Sequence, residues 1–218
     1  YANTRTTTAT KTDTALVDIP QSISVVTRDL IDDASLRTLA DVSRLIPGVG
    51  FGQGEGHRDA PVLRGNQSTA DLFIDGVRDD AEYFRDLYNI ERLEVLKGPN
   101  AMIFGRGAGG GLINRVTRKA EFETIREITL SGGQFASGRA AVDVGGAVSD
   151  AVALRLNAFY ENSDSYRDFT GKELFGINPT GAVKLGPETT LRLSYEYFRD
   201  RRDVDLGRYV VLRTRTRT

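Results

Sequence analysis

Hydrophobic and polar positions follow two different patterns along this chain, with a change near residue 120. Before it, apolar residues come in short, unequal runs. Ile19–Thr27 predicts a brief strand, with Thr27 placed to cap a helical turn at Arg28–Asp32. Leu36, Leu39, Ala40, Ser43 and Ile46 share one helix face, and Pro47-Gly48 stops that helix. Phe51–Ala60 is a polar, glycine-rich loop. Val62–Leu63, Leu72–Val77, Ile90–Leu96 and Leu112–Thr117 predict further short strands. The last two flank a bend rich in glycine that opens with Lys97-Gly98-Pro99. Glycines packed that densely let backbone pass close to backbone, or take positive φ, where a side chain would clash. Ahead of all this, Tyr1–Thr14 is Thr-rich and without period, which predicts a mobile arm.

After about Glu121 the pattern becomes strict alternation. Val152, Leu154, Leu156, Ala158 and Tyr160 fall on one face, against Ala153, Arg155, Asn157, Phe159 and Glu161. Leu191, Leu193, Tyr195 and Tyr197 oppose Arg192, Ser194 and Glu196. Ala140, Val142, Val144 and Val148 oppose Asp143, while Ile128 with Leu130 opposes Glu127 and Thr129. Ile177, Val183 and Leu185 oppose Asn178, Thr180 and Lys184. Segments of about ten residues with period two predict strands of a transmembrane β-barrel, with Tyr160, Tyr195 and Tyr197 in its aromatic girdle. One such strand alone reads rather as part of a soluble antiparallel sheet with one wet face.

Three groups of residues, in order, resemble the plug domain of the TonB-dependent outer-membrane receptors. They are Ile19–Ile31 with Leu36–Val49, then Pro61–Gly65 with Leu72–Asp79, then Ile90–Lys119. The run from Gly56 through PVLRG to FIDGVRDDAEYFRD is most similar to the ferric catecholate siderophore receptors of that family. The resemblance implies a mobile arm at 1–14, an α+β plug domain at 15–120 and, at 121–218, the first antiparallel strands of a transmembrane β-barrel. A plugged transporter barrel has about 22 strands, and an open sheet leaves edge N–H and C=O groups unpaired in lipid. The barrel is therefore expected to be incomplete in this chain, which corresponds to about the first third of a receptor. Arg213–Thr218 (RTRTRT) reads either as a strand with lumen-facing arginines or as non-native sequence.

By position, the plug's apical loops would be Gln53–Asp59, Asn66–Ala70 and Arg78–Asp86. They offer Gln53, His57, Arg58, Gln67, Arg78, Tyr83, Phe84 and Arg85 to a ferric siderophore. A ferric tris-catecholate carries negative charge on an aromatic shell, which guanidinium groups attract and stack against and aromatic rings cover. Against that role, Arg58, Arg78 and Arg85 each stand beside an aspartate, Asp59, Asp79 and Asp86. In the family, basic residues at the LRG and LKGP positions lock plug to barrel wall, which here means Arg64 and Lys97. Lys97 stands where arginine is common, and the glutamate partners would lie in barrel that this chain does not contain. The resemblance also implies TonB, with ExbB and ExbD, as the periplasmic partner, outer-membrane lipid around the barrel, a monomer, and the outer membrane of a Gram-negative bacterium. Thr4–Ala9 would be the tail of a TonB box, or the box lies upstream of Tyr1.

Composition narrows the alternatives. With 29 basic and 30 acidic residues the net charge is −1, so no global field recruits nucleic acid. Without cysteine there is no disulfide or thiolate chemistry. No run reaches the ~18 apolar residues of a spanning helix, so any span is made by strands. Gly105, Gly107 and Gly110 match GxGxxG, but that dinucleotide fingerprint must open a helix and Leu112–Thr117 alternates as a strand. His57 has no HxxxH or HExxH partner, and the Asp32-Asp33, Asp79-Asp80 and Asp203/Asp205 pairs have no base or nucleophile beside them. The expectation is no enzyme, no metal site and no bound cofactor other than the transported ferric siderophore. Haem, cobalamin or an oligosaccharide as cargo, a soluble plug-like binding module and an NAD-binding enzyme are the competing readings.

Overall fold

The computed structural model describes residues 3–6, 8, 10–12, 14–52, 57–98, 104, 110–167 and 169–203. Arg213–Thr218 and Gln53 lie outside the described residues. The first strands, β1 (Arg5–Thr6) and β2 (Thr14–Ala15), pair antiparallel. The expectation of a mobile arm gives way here. Thr6 and Thr8 are buried, Thr6 Oγ1 donates to Glu94 at 2.7 Å, and Asn114 Nδ2 donates to Thr8 Oγ1 at 2.9 Å.

Next come β3 (Ser22–Thr27), α1 (Arg28–Asp33), α2 (Leu39–Ser43), β4 (Val49–Gly52), β5 (Ala60–Leu63), β6 (Asn66–Gln67), β7 (Leu72–Ile74), β8 (Val77–Arg78), β9 (Ile90–Lys97) and β10 (Gly111–Thr117). The strands β3-β9-β10-β7-β8 make one sheet, in which only the β10–β7 pair is parallel, and β4-β5-β6 make a second. Central β10 is buried at every position. One face of the larger sheet packs Val26, Leu93, Val95 and Ile113 against Ile31, Leu39, Val42 and Ile46. The other packs Leu96, Leu112 and Phe73 against Ile19 and Phe104.

Three local expectations change. Thr27 does occupy the N-cap of α1, but its hydroxyl makes no capping bond. Helix α2 starts later than the apolar period indicated, because Thr38 and Asp41 form a reciprocal capping box there. Its buried face is Leu39 and Val42, continued by Ile46, while Ala40 is exposed. Leu72–Val77 is not one strand but the hairpin β7–β8, turned at Asp75 (φ 47°) and Gly76 (φ 81°). An Asp-Gly pair between apolar residues is the sequence signal for such a turn.

The second part is one antiparallel sheet of β11 (Ile125–Gly132), β12 (Gly138–Ser149), β13 (Val152–Asp164), β14 (Gly171–Lys184), β15 (Thr190–Ser194) and β16 (Tyr197–Arg202). Both β15 and β16 pair with β14 in one register, Thr180↔Ser194 and Ile177↔Tyr197, so they are one strand interrupted at residues 195 and 196. The interruption faces Pro179, which has no N–H to give the ladder. There Asn178 Nδ2 donates to the Tyr195 carbonyl at 2.7 Å. The alternation expected from the sequence is present, with the apolar side outward. Ile128 and Leu130 are 73% and 76% exposed, whereas Asn157 and Glu161 are 0% and 1% exposed. Tyr160, Phe175 and Tyr197 lie on the outer face near the Asp164–Gly171 end, with Phe175 and Tyr197 rings 6.3 Å apart. The inner face rests on the first domain, and among the described residues the sheet is open at both edges.

Candidate ligand-binding site

A cavity of about 650 Å³ lies between the first domain and the inner face of the sheet. It sits at the end where β11–β12 and β13–β14 connect, opposite the end where the chain passes from β10 into β11. Phe84, Arg85 and Asp59 line it from the first domain; Phe198, Arg202 and Lys172 line it from the sheet. Arg202 stacks its guanidinium 3.9 Å over the Phe84 ring and is held from behind by Asp200, with Nε to Oδ1 at 2.8 Å.

The loop floor beneath Phe84 is built by a buried charge cluster. Arg85 Nε donates to Asp79 Oδ2 at 2.9 Å, and its Nη2 donates to the carbonyls of Asp79 and Ala81 at 2.9 and 2.6 Å. Arg115, from β10, also pairs with Asp79. Tyr83 Oη donates to Asp79 at 2.8 Å, and Arg85 lies 4.1 Å over the Tyr83 ring. Burial alone would raise the Asp79 pKa, but Arg115, Arg85 and Tyr83 outweigh it and hold the carboxyl below its usual value. Burial pushes the Tyr83 hydroxyl up. Asp59 accepts the Arg85 backbone N–H at 2.8 Å, and its own N–H reaches the Tyr83 carbonyl at 3.2 Å. Its burial outweighs the pull of Arg85, whose guanidinium is committed mainly to Asp79, and the carboxyl rises to about 6. The strand-end residue Asp59 thereby staples one loop to the other.

Below this level a second set of charges fastens the domain to the sheet. Arg139 reaches from β12 and donates to both Asp86 oxygens at 2.7 and 2.8 Å and to Glu161 at 2.7 Å. Glu161 also takes Lys172 at 2.6 Å. Arg118, just past β10, shares Asp143 with Arg155, at 2.6 Å from each. Burial, with Arg28 nearby, lowers the Arg118 pKa. Tyr88 Oη and Asn89 Nδ2 both donate to Glu196 at 3.0 Å. Burial and Glu196 push the Tyr88 hydroxyl up. Rings join the charges, with Tyr88 4.6 Å from Phe159 and Phe159 stacked on Phe198 at 6.1 Å.

The structure scatters the residues expected at the site. Phe84 and Arg85 line the cavity, and the Arg85 side chain is fully buried in its floor. Tyr83 belongs to the same buried cluster. Arg58 pairs with Glu82 across the two loops, and Arg78 donates to the Ala70 carbonyl while lying 5.1 Å over Phe73. The neighbouring aspartates therefore pair differently from sequence order: Asp59 and Asp79 serve Arg85, and Asp86 serves Arg139. His57 and Gln67 are exposed and are not among the cavity residues. Arg64 is exposed at φ 51° in a tight turn, and its Nη1 lies 3.8 Å from where a Cβ on Gly98 would stand. Arg64 thus lies beside Gly98, the residue after Lys97, and neither Arg64 nor Lys97 has an ion pair among the described residues. Arg37, Arg139, Lys172 and Arg202 were missed because each lies in a stretch that reads only as strand or helix pattern.

A compact mixed domain seated on the polar inner face of an outward-apolar antiparallel sheet defines the plugged, transmembrane class of β-barrel. Residues 15–112 match the TonB-dependent receptor plug domain. The chain is 33% identical over 198 residues to the probable TonB-dependent receptor BfrD of Bordetella pertussis, covering 87% of this chain and 26% of that protein. It is 32% identical over 186 residues to the catecholate siderophore receptor Fiu of Escherichia coli, covering 83% of this chain and 24% of Fiu. The closed form of Fiu superposes with a TM-score of 0.87 at 30% identity, over 95% of this chain and 30% of that one. The pyoverdine receptor FpvA of Pseudomonas aeruginosa superposes with a TM-score of 0.84 at 26% identity, over 92% of this chain and 30% of that one. The chain belongs to the TonB-dependent receptors of the Gram-negative outer membrane. It spans between 24% and 30% of the length of these relatives and holds the plug with the leading strands of the barrel. The glycine run at 105–110 leads into strand β10, not into a helix.

Proposed function

We propose that this chain is the plug and first barrel wall of a receptor that binds a ferric siderophore, a catecholate, and imports it. The observation that carries the reading is the cavity between plug loops and wall, faced by Phe84, Phe198, Arg202 and Lys172. It lies at the end with the longer strand connections, which in this barrel class faces outward. Residues 15–120 act as the plug and 121–218 as wall. Ligand held at the outer cavity would be released to the periplasm when TonB, energised by ExbB and ExbD, rearranges the plug. Arg64 and Lys97 await acidic partners on wall strands beyond those described. The similarity to Fiu, a catecholate receptor by name, supports this cargo; FpvA is named for pyoverdine, and that likeness supports siderophores more broadly.

The test is growth under iron limitation of a siderophore-deficient host that expresses the full-length receptor. Growth on a ferric tris-catecholate that is lost without TonB is the expected result. Growth only on a ferric trihydroxamate would change the cargo class, and growth on neither would overturn siderophore import.

A further inference from the structure

We infer that Phe84 and Arg202 together form a specificity clamp that selects planar aromatic chelating arms over aliphatic ones. The inference rests on the siderophore reading above and adds which residues read the cargo.

Bulk charge does not explain selection here. The cavity residues Asp86 and Glu161 are occupied by Arg139, and Lys172 and Arg37 are drawn to Glu161 at 2.6 and 3.8 Å. Arg85 is spent on Asp79 and Asp59. Most of the lining charge is therefore neutralised in place, and the cavity is no cationic funnel. Arg202 differs. Asp200 takes its Nε and Nη2, while Nη1 has no partner among the described residues, and its flat face lies 3.9 Å over Phe84. One half of the pair comes from a plug loop and the other from barrel strand β16.

A guanidinium fixed in plane by a carboxylate, stacked on a phenyl ring, is a platform with one open side. A catechol ring extends that stack by one layer, while Nη1, whose N–H bonds lie in the guanidinium plane, donates to an oxygen of a neighbouring arm. An aliphatic hydroxamate arm has no π-face to add and gains only the hydrogen bond. Such contacts strengthen when desolvated, to the order of tenfold or more in affinity. Loop and strand are both anchored. Arg85 holds the loop from below, and Phe198, two strand positions from Asp200, stacks on Phe159. The platform is thus pre-formed, so the ordering cost on binding is small.

The experiment measures affinity of the full-length receptor in detergent for a ferric tris(catecholamide) and for a ferric linear trihydroxamate. Phe84→Leu keeps bulk and removes the ring; Arg202→Lys keeps charge and removes the plane. Each is expected to weaken the catecholamide by about tenfold while leaving the trihydroxamate within about twofold. Loss of both ligands to equal degree would overturn the clamp and mark a structural role. An unchanged ratio in both variants would overturn it as well, leaving the siderophore reading intact. Wild-type receptor that binds neither probe would overturn that reading, and the clamp with it.

Discussion

Replacing Arg139 by methionine tests whether the plug is held to the wall by buried charge. Methionine keeps the apolar length of the side chain over Phe159, which the guanidinium covers at 4.2 Å, and removes only the charge and its donors. Glu161 retains Lys172 at 2.6 Å. Asp86, with its side chain 4% exposed, loses both guanidinium bonds and keeps one donor, the Tyr88 backbone N–H at 2.8 Å. Stranding a buried carboxylate in this way costs about 3–5 kcal/mol. A cost of about 3 kcal/mol corresponds to a local opening equilibrium raised roughly a hundredfold. Amide hydrogen exchange at residues 86–90 of the full-length receptor reads that change directly. A second substitution, Asp86→Leu in the Arg139→Met background, removes the stranded charge and is expected to recover at least half of the loss. Less than about fivefold faster exchange in Arg139→Met would place the pair among weak surface bridges and refute the argument.

Asp59→Asn is expected to flatten the pH profile of the loop staple. The Asp59 carboxyl lies at about 6, against 3.8 when unperturbed, so the folded state binds its proton more tightly and stability falls as pH rises across that window. The penalty, about 3 kcal/mol, is complete above pH 6; hydrogen exchange in the 79–86 loop should speed up with pH beyond the intrinsic trend in wild type and not in the variant. Gly111→Ala forces a Cβ into the Leu96 carbonyl oxygen at φ 144°, and is expected to cost several kcal/mol in urea unfolding of the plug. A midpoint within error of wild type would show that the β9–β10 hairpin tolerates what its geometry forbids. Thr6→Val removes one donor from the buried Glu94, which keeps Arg92 at 2.6 Å, and is expected to release the arm by about 1–3 kcal/mol. Protease sensitivity near Thr14 that matches wild type would refute that anchoring.

The structure of the plug was legible only where residues demand it locally. Glycine density around residues 105–111 forecast close backbone approach, and a Cβ on Gly110 would strike the Leu63 carbonyl of β5. The Asp75-Gly76 turn carries its own local signal but sits inside an apolar run that reads as one strand. The arm was not legible, because its order comes from Glu94 and Asn114, far along the chain. The cavity residues fared worse for a similar reason. Neighbour-by-neighbour reading paired Arg85 with Asp86, whereas the fold turns Arg85 inward to Asp79 and gives Asp86 to Arg139 across 53 residues. Arg202 carried no local mark at all, since its partner ring sits on another domain.

The alternation of the second part does more than predict strands, because its burial settles which solvent lies outside. A soluble antiparallel sheet packs its apolar face inward and wets its polar face. Here Arg155, Asn157 and Glu161 of β13 are buried against the plug, while Leu154 and Tyr160 on the same strand face out. Turning such a surface to water would expose a continuous apolar band over several strands, far larger than a soluble monomer carries. The cost vanishes only if hydrocarbon is the outer solvent. The same inversion explains why the plug interface is so charged. In a barrel lumen the wall is largely polar, so the plug is fastened by Arg118–Asp143 and Arg139–Asp86, with only the small Tyr88–Phe159 ring cluster beside them. An ion-paired interface can exchange its bonds for water if its two sides part, whereas a dry apolar one would have to expose its core at once.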